Sequence, residues 1–474
     1  MTVFVSGRFN VLHPGHIRLL RFAKEYGGRL LVAVESDRLA GIDAHVPEHL
    51  RLEGVKCNSW VDDVFIMDEP VEQALSRLKP DIVVKGKEHE QKFNSEAVVV
   101  AAYGGKLLFS SGEAIFSSHD LICKEFLETD SRTIGLPQDY LTRHQIDKYK
   151  LADLVNQFSE LKVCVIGDMI VDEYITCQPL GMSQEDPTIV VTPLDSTRFI
   201  GGAGIVAAHA AAMGANVKFI SVTGVDDAGN YAKNALAEAN VDAHLLLDDS
   251  RPTTLKQRFR SKGRSLLKVS HLHQSAISKD YQTQLLNVVE SALEKANLLV
   301  FSDFNYGCLP QPLIDEVIKK AKSFNVLLAA DSQSSSQVGD ISRFRGMDLL
   351  TPTEREARIS TRDHEDGLVI LAEKLRNQSN AKNILLKLGE EGLLIHADSN
   401  SQENWLTDRI KALNSLPKDV AGAGDSLLIT SGMAMVSGAN IWESALLGSL
   451  AAAVQVGRVG NTPIKSRDLL KELN

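Results

Sequence analysis

LKVCVIGDMIVDEY, residues 161–174, begins for a second time what the chain began once at TVFVSGRFN (2–10): a run of β-branched and aliphatic residues that breaks at a glycine. Before it, VFVSG, RLLVAVES, DDVFIM, DIVVKG and KLLFS alternate with amphipathic, helix-like stretches such as those near 15–26 and 70–78. After it, VKFISVTG, NLLVFSD, VLLAADS, DLLTPT and NILLKLG repeat the alternation, which closes on the small-residue run LLGSLAAAVQVG. Strand-helix alternation of this kind is the signature of a parallel sheet covered by helices. Between the two series, 129–160 holds the turn-prone GLPQD and a polar helical segment, YLTRHQIDKYKLADLVNQF. The expected class is therefore α/β, with two doubly wound domains at 1–130 and 161–474 and a linker with a helix at 131–160.

Composition narrows the function classes. A formal net charge of -10 argues against a nucleic-acid binder with a broad basic face, so no nucleic-acid partner is expected. Hydrophobic residues at 44% and charged ones at 24% match an ordinary soluble globular protein. No apolar run reaches the roughly 18–20 residues of a spanning helix, and the first residues read as a strand instead of a secretory signal. A cytoplasmic protein without a membrane partner is expected. Cys57, Cys123, Cys164, Cys177 and Cys308 are scattered without CxxC spacing, which favours free thiols over a disulfide framework or a zinc site.

Two stretches carry chemistry. In GRFNVLHPGHIRLL (7–20), His13 and His16 flank Pro14-Gly15 where a strand should turn into a helix. A helix start offers unpaired N–H groups and partial positive charge, which suit a phosphate, and two imidazoles there can donate to phosphoryl oxygens in a transition state. Taken alone, an HxxH can equally be a helix cap. In DVAGAGDS (419–426), Gly422, Ala423 and Gly424 can present successive N–H groups to an anion, beside Asp425, a carboxylate able to take a hydroxyl proton. Alone, such a loop can equally be tight packing.

GRFNVLHPGH resembles the GxFDxxHxGH signature of the cytidylyltransferase-like nucleotidyltransferases, and the resemblance runs over about the first 128 residues. It extends to Arg51, to VVKGKEH (83–89) with Lys85, and to FSSHDLI (116–122). The resemblance implies attack by a substrate phosphate on the α-phosphorus of ATP or CTP with Mg2+, releasing pyrophosphate. Gly7, Phe9, Arg51, Ser117 and Ser118 would hold the nucleotide, and His13, His16 and Lys85 would stabilise the transition state. Asn10 stands where the signature has Asp, and no lysine lies between Arg38 and Arg51.

FIGGAGIVAAHAAAMGA (199–215), GVDDAGN (224–230), LLTPTEREA (349–357), LLKLGEEGLLI (385–395) and DVAGAGDS follow the order of the ribokinase-like, or PfkB, carbohydrate kinases. That resemblance implies a ribokinase-like fold with a small β lid, and Asp425 as the base toward a sugar hydroxyl with Gly422–Gly424 receiving the γ-phosphoryl charge of ATP. It puts Lys387, Gly389 and Gly392 near the nucleotide, Glu356 at magnesium, and Asp172, Gly201, Gly202 and Asp303 toward the sugar. A homodimer is expected on the same ground. Gly201-Gly202 could also serve a turn, and Glu356 could be a solvated helix residue.

KQRFRSKGR (256–264) places Lys256, Arg258, Arg260, Lys262 and Arg264 at every second position, so an extended strand would point all five to one face. Such a face reads either as a solvated edge strand or as a grip, with Lys268, on a phosphate already carried by the sugar. The two domains together resemble the bifunctional heptose-phosphate kinase/adenylyltransferases, in reversed order. GDMIVDEY, GMSQEDPTIVV (181–191) and LVFSDFNYGCL (299–309) carry that likeness, while Ile205, Tyr306 and Thr353 depart from it and Ile429 stands where many PfkB kinases have glycine. The expected function is phosphorylation of a sugar phosphate, a heptose 7-phosphate first, at its anomeric hydroxyl, and nucleotidyl transfer to the sugar 1-phosphate. The alternatives are a kinase with an impaired transferase domain and a nucleotide-sensing binding protein.

Overall fold

The computed structural model describes residues 1–474 except 11, 13, 42, 43, 45, 87–93, 110–133, 184, 187, 262, 263, 334–338, 399–405 and 474, and the side chains of 14, 15 and 264. The chain divides into two compact units, Met1–Ser131 with Asp363–Leu371, and Arg132–Arg362 with Ala372–Asn474.

The first unit is built on five parallel strands: β1 (Thr2–Gly7), β2 (Arg29–Glu35), β3 (Asp63–Met67), β4 (Ile82–Lys85) and β5 (Lys106–Phe109). They lie in the order β3-β2-β1-β4-β5, a doubly wound sheet. Val3, Phe4 and Val5 are all fully buried because helices cover both faces, which is why β1 reads as continuously apolar and not as an alternation.

In the second unit, β6 (Lys162–Gly167) opens a strand series that includes β7 (Met169–Met182), β8 (Ile189–Gly202), β9 (Asn216–Thr223), β10 (Asp242–Leu247), β11 (Thr254–Ser261) and β12 (Arg264–His271). It continues with β13 (Leu298–Asp303), β14 (Leu327–Ser332), β15 (Leu349–Leu350), β16 (Asn383–Lys387), β17 (Leu393–His396) and β18 (Thr407–Ile410). The large sheet runs β10-β9-β6-β13-β14-β15-β16-β17-β18, and β12-β11-β7-β8 form a separate small sheet in the place of the expected lid. From β6 to β16 the neighbours are parallel, so Gly167, Asp303, Ser332, Leu350 and Lys387 end on one edge of the sheet. Ligands of such sheets bind beyond that edge.

The stretch expected as a linker with a helix is helical and packs into the second unit. Helices Gln138–Arg143 and Lys148–Asn156 and a 3-10 turn, Gln157–Glu160, bury Tyr140, Leu141, Leu151, Leu154 and Phe158 in the core of the second unit. Their apolar spacing, masked by the polar residues between them, is what that core uses. The Tyr140 hydroxyl also donates to the Trp442 carbonyl at 3.0 Å.

Candidate active site

Asp425 lies in the first turn of the helix Ala423–Val436, whose Leu427, Leu428, Ile429 and Met433 are buried against the sheet. An apolar surface all round makes this an interior helix, so its start is held rigidly. Gly422 caps it with a positive φ of 77°, and a Cβ there would collide with Asn461 Oδ1. The preceding loop is braced by Asp419, which accepts from the backbone N–H groups of Ala421 (3.1 Å) and Gly460 (3.2 Å) and from the Tyr174 hydroxyl (3.1 Å).

Burial pushes the Asp425 carboxyl up to about 7, and the neighbouring Asp331 charge adds to this while Lys387 opposes it. Its Oδ1 accepts from Gln333 Nε2 at 3.0 Å. Lys387, at the end of β16, pairs with Asp331 Oδ2 at 2.7 Å. Burial acts to lower the Lys387 pKa, yet the Asp331 and Glu356 carboxylates hold it above its ordinary value. Asp331 itself is raised to about 6 by burial against the pull of Lys387, and its Oδ1 is buried without a well-formed hydrogen bond.

Asp172 on β7 is 6% exposed. Its Oδ2 is 3.5 Å from Asn461 Nδ2, and its Oδ1 has no hydrogen bond, Arg258 standing 3.6 Å away. Burial raises its pKa, with Arg258 opposing. A Cβ on Gly201 would strike Asp172 Oδ2, and Gly202, at φ 58°, opens the next helix where a Cβ would come within 2.5 Å of the Asp168 carbonyl. The glycine pair thus serves both a turn and the approach of Asp172. Asn461 links the anion loop to Asp172, so Asp425, Gly422–Gly424, Lys387, Asp172 and Gly201-Gly202 come together in one unit.

The basic stretch is folded differently from the expectation. β11 ends at Ser261 and Arg264 opens the antiparallel β12, so the run is not one extended strand; Lys262 and the Arg264 side chain lie outside the described residues. Arg258 and Arg260 stand 5.2 and 4.9 Å from the Tyr174 ring centre, and Lys256 Nζ lies 4.9 and 5.1 Å from those of Phe304 and Tyr306. Aromatic faces steady such cations. Lys268 is exposed and opposite Arg258.

Asp303 does not face a ligand freely. It is 1% exposed and already binds Arg343 (2.8 Å), the Ser332 hydroxyl (2.7 Å) and the Asn305 N–H (3.2 Å). Glu356 is buried and reciprocates with Thr353 in a capping box, accepting from the Thr353 N–H at 2.7 Å. Gly389 (φ 63°) and Gly392 (φ 96°) form the turn between β16 and β17, and a Cβ on Gly392 would meet the Ile410 carbonyl.

Sequence reasoning missed Asp331, Gln333, Asn461 and Asp168. Asp168 accepts from the backbone N–H groups of Phe304 (2.7 Å), Tyr306 (3.3 Å) and Cys308 (3.2 Å), and so sets the loop that carries the two rings under Lys256. An acid directly after the strand-ending glycine of VIGD was the available signal.

In the first unit, Gly7 ends β1, Phe9 adopts a positive φ of 49°, and its ring centre is 5.0 Å from that of His16. Lys85 pairs with Glu96 at 2.6 Å. Arg51 corrects the expectation of a nucleotide contact: its side chain is fully buried and binds the Val46 and Arg8 carbonyls at 2.7 Å each and Asp37 at 2.6 Å. It fastens the loop after β1. Arg51→Met would remove two charge-assisted hydrogen bonds that the buried guanidinium gives the Arg8 and Val46 carbonyls, so a loss of about 2–4 kcal/mol in chemical denaturation of this unit is expected. An unchanged denaturation midpoint with weakened nucleotide binding would restore the first reading. His13, Ser117 and Ser118 lie outside the described residues.

Residues 160–467 match the model of the pfkB family carbohydrate kinases, and residues 4–108 that of the cytidylyltransferase-like proteins. Similar proteins include the bifunctional protein HldE of Desulfatibacillum aliphaticivorans, 29% identical over 324 residues, 67% of this chain and 64% of that protein. HldE of Helicobacter hepaticus is 30% identical over 317 residues, 66% of this chain and 64% of that one. The match thus spans less than two thirds of either relative. Arabidopsis thaliana ribokinase complexed with ribose and ATP has the same fold over 66% of this chain and 98% of its own (TM-score 0.52, 19% identity). Escherichia coli phosphofructokinase-2 shares it over the same fractions (TM-score 0.54, 17% identity). No described helix is long and apolar enough to cross a membrane.

Proposed function

The chain belongs to the pfkB family of carbohydrate kinases, and from that premise we propose that it phosphorylates a sugar phosphate at the anomeric hydroxyl and then transfers a nucleotidyl group to a sugar 1-phosphate. The observation that carries the first step is Asp425, buried beside the Gly422–Gly424 helix start with its carboxyl held near neutrality. Asp425 takes the hydroxyl proton, the freed oxygen bonds to the γ-phosphorus of ATP, and the bond to ADP breaks. Asp172 and the Arg258–Arg260 group hold the sugar phosphate, of which a heptose 7-phosphate is the leading candidate. The likeness to the HldE proteins supports this choice.

Mg2+ enters as part of the MgATP substrate. Mg2+ is usually held by one or two carboxylates together with phosphates and waters. Glu356 suits that role: it is buried, and its charge acts on both Asp331 and Lys387. Bound there, the ion would neutralise phosphate charge.

The transfer step is assigned to residues 1–130, with ATP or CTP as donor, Gly7, Phe9, His13 and His16 at the nucleotide, and Ser117 and Ser118 on its phosphates. A cytoplasmic homodimer completes the proposal. A second reading, a kinase whose transferase unit is impaired, is favoured by the engagement of Lys85 with Glu96 and by the internal use of Arg51.

Phosphorus NMR of the full chain with MgATP, CTP and D-glycero-D-manno-heptose 7-phosphate tests these readings. Sugar bisphosphate and ADP are expected. After phosphatase treatment, pyrophosphate and a nucleotide sugar should follow; pyrophosphate absent at that stage selects the second reading. No ADP above background would reject this heptose as the acceptor.

A further inference from the structure

We propose that Lys387 is a catalytic residue of the phosphoryl transfer, its ammonium group neutralising charge on the phosphoryl group as it passes the Gly422–Gly424 loop. The inference rests on the kinase reading above and adds a residue to that reaction.

Lys387 Nζ would be 3.1 Å from a Cβ placed on Gly424. The lysine head and the start of the helix Ala423–Val436 therefore reach the same space. Both offer only donors and positive charge: an ammonium on one side, backbone N–H groups at a helix start on the other. Asp331 and Asp425 offset part of this positive charge, and the donors left over on both sides suit a further anion placed between them. A transferring phosphoryl group, whose three equatorial oxygens carry the charge of the transition state, fits that place. Gly424 is what allows the approach, since any side chain there would press on the ammonium.

Asp331 keeps the lysine in place without using it up. It takes one of three ammonium protons at 2.7 Å from the carboxyl end of a neighbouring part of the sheet. Asp331, Glu356 and Asp425 all act electrostatically on Lys387, so a triphosphate entering here meets several carboxylates. A fixed cation beside the anion loop offsets part of that repulsion, and Mg2+ delivered with ATP offsets more. In the transfer the acceptor oxygen–phosphorus bond forms, the bond to the ADP oxygen breaks, and the proton passes to Asp425. Lys387 gives and takes no atom.

A purely structural Lys387, present only to pair with Asp331, makes a different prediction. Calorimetric titration of the full chain with ADP and Mg2+, with and without aluminium fluoride, separates the two. Aluminium fluoride completes a mimic of the transferring phosphoryl group, and in the native protein it should tighten ADP binding. In Lys387→Gln, whose amide can still hydrogen-bond Asp331, the tightening should fall by about 100-fold while ADP alone binds within threefold of native. Lys387→Arg keeps the charge and should recover the effect to within about tenfold. Equal tightening in Lys387→Gln and the native protein overturns the proposal, as does a loss of ADP binding that matches the loss of tightening. Absence of tightening in the native protein would instead remove the kinase reading beneath it.

Discussion

Asp425→Asn is expected to lower kcat for ADP formation about 100- to 10,000-fold while making the second unit more stable. The two effects share a cause. The folded-state pKa of Asp425 is about 7 against an ordinary 3.8, so ionisation is costlier in the folded protein than in the unfolded chain. Its contribution to stability is greatest while it stays protonated and is lost as pH rises from about 4 toward 7. Asparagine is never charged, so at pH 8 the variant should gain on the order of 1–3 kcal/mol, seen as a raised thermal midpoint. For the native enzyme the same shift puts the acid limb of kcat/KM near pH 7, with a plateau above it. The charges facing Asp425 are Asp331, Lys387, Asp172 and Lys256, and none is expected to remove that limb. A native kcat/KM flat from pH 5.5 to 8.5 would contradict Asp425 as the base.

The second large effect concerns acceptor binding. Asp172→Ala should reduce kcat/KM for the sugar phosphate about 100- to 10,000-fold, the worth of two charge-assisted hydrogen bonds at about 1.5–3 kcal/mol each. KM for ATP should stay within a few-fold. Asp172 is suited to this because burial has stripped its water, one oxygen has no hydrogen bond, and the other has only the long contact to Asn461. Gly201→Ala should reproduce the phenotype, since its Cβ would displace Asp172 Oδ2. Initial rates against each substrate separate the outcomes. Equal losses in both KM values would point to a general collapse of the site.

The alternation of strands and helices was legible because parallel strands buried on both faces are continuous apolar runs, as in Val3–Val5 and Leu298–Phe301. The anion loop was legible because its residues are adjacent: Gly422, Ala423, Gly424 and Asp425 need no tertiary contact to be recognised. Lys387–Asp331 was not, because 56 residues separate the partners and LLAADS looks like any buried strand. Arg51 misled for the opposite reason. Its place after β2 suggests a phosphate contact, and only the fold shows the guanidinium closed off by Arg8, Val46 and Asp37. The basic run misled because alternation of charge cannot reveal that the strand ends at Ser261 and turns back.

The packing of residues 134–160 decides where this polypeptide can be divided. A cut just before β6 looks natural, since the strand series starts there. It would leave the large sheet without Tyr140, Leu151, Leu154 and Phe158, all buried in the core around Trp442, and without the bridge between Ile134 and Asn414. What resembles a tether is one wall of the second unit, so a gene split that keeps that unit intact has to fall upstream of Ile134.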